Sequence, residues 1–101
     1  VPTECSVEEA NKAARLAVLT RLAVIKSELG SINQVARIVS VSGFVNAAPD
    51  FTDHPQVING ASDLLVEVFG ELGKHSRTAV GCSSLPLGVA VEVSLIVEVK
   101  P

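Results

Sequence analysis

The sequence contains no methionine, no tryptophan and no tyrosine, and only three phenylalanines occur in 101 residues. Such a chain offers no row of aromatic rings on which bases could stack. Positive charge is also scarce. Eight Lys and Arg stand against eleven Asp and Glu, a net charge of -3. The eight cations are scattered, so nucleic-acid binding through phosphate neutralisation is not expected. Cysteine is limited to Cys5 and Cys82. Two thiols are too few for a disulfide scaffold or a zinc cage. They read as one loop thiol and one small buried hydrophobe, with a disulfide between them left open. No apolar run approaches the ~20 residues that cross a bilayer. No secretory, lipidation or Asn-x-Ser/Thr signal is visible, so a cytosolic location is expected. Without a methionine, either the start was processed away or residues precede Val1.

Apolar residues make up 48% of the chain, valine alone occurs seventeen times, and charged residues are 19%. This is the composition of one folded domain spanning residues 1–101. Ser6-Val7-Glu8-Glu9 is a capping box, and an apolar stripe at Ala10, Ala14, Val18, Leu22, Ile25 and Leu29 runs to Gly30. The pattern predicts a helix over 7–29 whose alanines allow close approach to a neighbour. Residues 35–45 are rich in β-branched side chains on both faces and read as a central strand. A second helix begins near Asp53, with Pro55 in its first turn. Its apolar face is Val57, Ile58, Ala61, Leu64, Leu65, Val68 and Phe69, and Gly70 and Gly73 end it. Residues 76–82 form a short strand. Residues 89–99 alternate with period two, the valines facing one way and Glu92, Ser94, Ile96 and Glu98 the other. The Leu85–Gly88 turn is expected to join the last two strands as a hairpin. The order helix, strand, helix, strand, strand predicts an α+β domain with both helices on one face of the sheet. Three strands make a narrow sheet with an exposed edge, so further strands are expected from a preceding segment or another subunit.

No phosphate loop, dinucleotide fingerprint, nucleophile elbow or H-E-x-x-H motif occurs. His54 and His75 lack metal-ligand spacing and read as solvated surface residues. Arg77 and Glu92 are the pair of interest. A hairpin would set them on adjacent strands, where the guanidinium could bind a carboxylate and the glutamate could position or deprotonate a water. Spacing alone favours a cross-strand salt bridge or a solvated sheet face. Asn59, between Ile58 and Ala61, reads as a structural amide or a ligand-facing one, with the structural role favoured.

At these residues the chain resembles the RidA/YjgF family, the reactive-intermediate deaminases also known as endoribonuclease L-PSP. The carriers are Asp50-Phe51 with Asn59, Ser76-Arg77 with Ala79-Val80, Leu85-Pro86, and Val91-Glu92-Val93. The run from Gly43 to Asn46 and that from Ile58 to Asp63 resemble a YjgF-like subgroup most. The resemblance implies a chorismate-mutase-like α+β fold and a homotrimer with clefts between subunits. It implies hydrolysis of reactive enamines or imines, formed from amino acids, to keto acids and ammonia. By position, Arg77 would bind the substrate carboxylate, Glu92 would orient or activate water, and Asn59 would line or support the cleft. No metal or organic cofactor is implied. Departures are His75 where proline is usual, Ser94 where a second acid is common, and the absence of the family's N-terminal hairpin, which makes the domain look N-terminally incomplete. Two other readings share the sequence: a binding module that holds a small carboxylate without turnover, and the ribonuclease of the family's name, which the acidic charge disfavours.

Overall fold

Ser6 starts the first helix. Its hydroxyl accepts from the Glu9 amide at 3.1 Å, and its own amide donates to Glu9 Oε1 at 3.2 Å. Both halves of the capping box are therefore made. The backbone hydrogen bond from Ser6, then its side chain, holds the Glu9 carboxyl below its usual 4.5. Helix α1 (Val7–Leu29) ends at Gly30, whose φ of 84° is left-handed and whose N–H donates to the Lys26 carbonyl. Ala10, Ala14, Val18 and Leu22 are buried along one stripe.

The structure is a computed structural model that describes residues 1–101. Strand β1 (Val35–Asn46) is followed by helix α2 (His54–Phe69), a tight turn at Gly70–Gly73, strand β2 (Ser76–Cys82), a second turn at Pro86–Gly88 and strand β3 (Val91–Val99). The sheet order is β2–β1–β3, with β1 parallel to β2 and antiparallel to β3. β1 is thus central, as its doubly apolar composition predicts. The expected hairpin between the last two strands does not form. β2 and β3 each take a different edge of β1, and residues 83–90 pass across its end instead of folding back in register. The helix α2 crossover explains the other half of the arrangement. A parallel neighbour needs a long connection, and residues 47–75 supply one. The outer edges of β2 and β3 have no strand beside them in this chain.

Both helices cover the same sheet face. Val41, Val45, Val91 and Val93 are buried beneath them, while Glu92, Ser94 and Ile96 face away. The core contains no buried polar or charged residue. On α2, Val57, Ile58, Ala61, Leu64 and Leu65 are buried; Val68, expected in the same face, is exposed because it points past the edge of the core. The helices touch closely at Gly60, where a Cβ would lie 2.1 Å from the Asn11 carbonyl oxygen. A second near-contact sits on β1, where a Cβ on Gly43 would meet the Ile58 side chain at 2.5 Å. Gly60→Ala is therefore expected to lower the unfolding free energy by about 1–3 kcal/mol in urea, through forced separation of α1 from α2. An unchanged midpoint would contradict that contact.

Candidate anion site around Arg77

Arg77 lies level with Val41 in the parallel register. Paired residues share a face, so its side chain rises on the helix side of the sheet, beside α2. There α2 presents Asn59 and Ser62, three residues apart and hence on one side of the helix. Arg77 Nη1 donates to Asn59 Oδ1 at 2.6 Å and to Ser62 Oγ at 3.4 Å. The second contact is long and weak. Its Nε and Nη2 make no hydrogen bond within the chain, and the guanidinium joins no salt bridge. Asn59 thus bonds neither to backbone nor to a ligand through Oδ1, but accepts from Arg77.

His75 is not the solvated residue its position suggested. It is half-buried, and both ring nitrogens are engaged. Nδ1 lies 2.6 Å from the Gly73 carbonyl oxygen, and Nε2 lies 2.9 Å from Ser62 Oγ. The cause is the turn after α2. Gly73 packs so tightly that a Cβ would stand 2.2 Å from the Leu65 carbonyl, which brings the chain back under the helix before β2 begins.

Glu92 stands elsewhere. It is level with Phe44, which lies three residues along β1 from Val41, on the far strand. The strand geometry puts its Cα roughly 14 Å from that of Arg77. The two side chains also point to opposite faces, Glu92 away from the helices. The expectation of a shared site on adjacent strands is therefore corrected for a single subunit: β1 lies between them. The cross-strand salt bridge exists, but Arg37 and Glu98 make it, at 2.9 Å on the surface.

A cavity of about 710 Å³ is separate from Arg77 and Glu92. It opens at the C-terminal ends of β1 and β2 and is lined by Asn46, Phe51, His54 and both thiols, among others. His54 is half-buried there, edge-on to Phe51 and against Gly81. Cys5 and Cys82 are free and half-buried. No three His, Cys, Asp or Glu side chains gather where they could hold a metal ion. No helix is long and apolar enough to cross a membrane.

The family model described as "YjgF/chorismate mutase-like, putative endoribonuclease" matches residues 1–99. This chain belongs to that family. Protein TCP17 of Trypanosoma cruzi is 45% identical over 96 residues, covering 94% of this chain and 60% of that protein. Atu1372 of Agrobacterium tumefaciens, a crystal structure of unknown function, superposes with a TM-score of 0.97 at 40% identity, over 100% of this chain and 65% of its own. A "putative endoribonuclease" from Shewanella oneidensis superposes with a TM-score of 0.93 at 35% identity, over 97% of this chain and 65% of its own. The chain thus has the YjgF α+β fold and spans less than two-thirds of these relatives.

The contacts of Ser62 with His75 and Arg77 are what sequence reasoning missed at this candidate site of the YjgF-family chain. The one available signal was the pair Gly70 and Gly73, which marks a turn tight enough to return His75 to α2. The opposite facing of Glu92 has a direct consequence. Glu92→Gln is expected to change stability by less than about 0.5 kcal/mol and to leave the Arg77 side-chain nitrogen NMR signals in place. A displacement of those signals in the isolated subunit would put the two groups in contact.

Proposed function

We propose that this protein hydrolyses reactive imines or enamines derived from amino acids, with Arg77 as the anchor for the substrate carboxylate. The observation that carries this reading is a guanidinium fixed by a neutral amide and left without a carboxylate partner. Such a group keeps its full positive charge at any relevant pH, and its unused N–H donors match the fork of a carboxylate. The reaction adds water across C=N. The water oxygen bonds to the imine carbon, the nitrogen takes the protons, and the C–N bond breaks to give a keto acid and ammonia.

Within one subunit Glu92 cannot reach a substrate held by Arg77. We therefore place the reaction in clefts between subunits of a homotrimer, where a Glu92 carried by a second subunit would position or deprotonate the water. Asn59 supports Arg77 in this scheme. A second reading is favoured by one observation: no carboxylate stands beside Arg77 in its own subunit. The same site would then bind a small carboxylate without turnover. Ribonuclease activity, the name carried by the family, is weakened by the net charge of -3 and the lack of tyrosine and tryptophan.

The test is hydrolysis of 2-iminopropionate by the intact protein. Loss of a charge-assisted contact worth about 1.5–3 kcal/mol predicts that Arg77→Ala lowers kcat/KM roughly 10- to 150-fold. No acceleration by the wild type, or none lost in Arg77→Ala, would overturn the enzyme. Pyruvate binding without turnover, unchanged in Glu92→Gln, would establish the binding module instead.

A further inference from the structure

We propose that His75, acting through the Ser62 hydroxyl, fixes the orientation of the Arg77 guanidinium and so sets the affinity of the anion site. The inference rests on the carboxylate-binding reading of Arg77, and it makes His75 a positioning residue.

The argument follows donors and acceptors. The Gly73 carbonyl can only accept, so His75 Nδ1 carries a hydrogen and donates to it at 2.6 Å. In the neutral ring Nε2 is then left with a lone pair and no hydrogen. Ser62 Oγ, 2.9 Å away, must donate to it. A hydroxyl that has spent its one hydrogen offers only lone pairs elsewhere, and Arg77 Nη1 is the donor it meets, at 3.4 Å. Without the His75 acceptor, nothing fixes the direction of the Ser62 hydroxyl, and its lone pairs are no longer held toward the guanidinium. The chain thus runs one way, from Arg77 through Ser62 and His75 to the backbone of Gly73. Its far end is rigid, because Gly73 is buried and no larger residue fits against Leu65. Asn59 supplies the short bond to Nη1, and Ser62 constrains the same nitrogen from three residues along the helix. Two acceptors on one nitrogen restrain rotation of the guanidinium plane, which leaves Nε and Nη2 turned to the ligand in a fixed fork.

The test uses the intact protein with pyruvate as the probe. Ser62→Ala and His75→Leu should each weaken pyruvate binding roughly three- to tenfold, the size of one neutral hydrogen bond. The double variant should be no weaker than either single one, since both break the same chain. His75→Gln offers an amide oxygen where Nε2 stood and should recover affinity to within about twofold of wild type. Ligand-free nitrogen NMR supplies an independent reading. Rotation of the Arg77 guanidinium should be slowest in wild type and His75→Gln, and faster in Ser62→Ala and His75→Leu, where Asn59 alone holds Nη1. Pyruvate held by Arg77 with unchanged affinity in Ser62→Ala, or equal guanidinium rotation in all variants, would overturn the proposal. Failure of the wild type to bind pyruvate would overturn the carboxylate reading alone, and guanidinium rotation would still decide the relay. Should His75→Leu not fold, Ser62→Ala and His75→Gln decide between the same outcomes.

Discussion

A guanidinium keeps its proton at every physiological pH, so what stands beside it decides whether the charge is neutralised within the chain. Three other cations of this chain, Arg15, Arg37 and Lys74, meet glutamates on the surface. Arg77 meets a side-chain amide and a hydroxyl, which hold it in place and leave its charge uncompensated. In our reading that choice of neutral partners separates an anion receptor from a scaffold ion pair. Two local features gather these neighbours: α2 brings Asn59 and Ser62 to one face, and the Gly70–Gly73 turn returns His75 beneath them.

The backbone makes this possible through β1. A strand apolar on both sides takes the centre of the sheet, and its two edges are claimed by β2 in parallel and β3 in antiparallel register. The parallel pairing requires a crossover, and the crossover is α2, so the helix that carries Asn59 necessarily lies over the strand that carries Arg77. The same pairing expels Glu92 to the far strand and the far face. The sheet therefore keeps the Glu92 acid away from Arg77 within one subunit. In our reading the second subunit restores that acid, and the unpaired edges of β2 and β3 leave room for one.

The architecture was largely legible in the sequence because each element has a strong local cause. The capping box at Ser6 and Gly30 bounds α1, β-branched density marks β1, Pro55 and Gly70 bracket α2, and valine alternation marks β3. Beyond the central place of β1, strand order was not legible. The Leu85–Gly88 turn has the composition of a hairpin, and only the competition for the edges of β1 shows that it is a crossing. Everything about the Arg77–Glu92 pair that relied on the hairpin was lost with it. Arg77 and Asn59, which the sequence did not pair, meet because helix and strand are joined by the short Gly70–His75 link. His75 and Ser62 escaped notice because their meeting depends on how α2 tilts over β2, a property of tertiary packing that no local pattern encodes. Val68 illustrates the same limit: helical periodicity places it on the apolar face, but the core ends before it.

The most direct measurement is a crystal structure of the intact protein grown with pyruvate. The account predicts the carboxylate seated on Arg77 Nε and Nη2, with Nη1 still on Asn59. A structure in which the Arg77 guanidinium is closed by an Asp or Glu side chain of either its own or a neighbouring subunit, with pyruvate excluded, would contradict it.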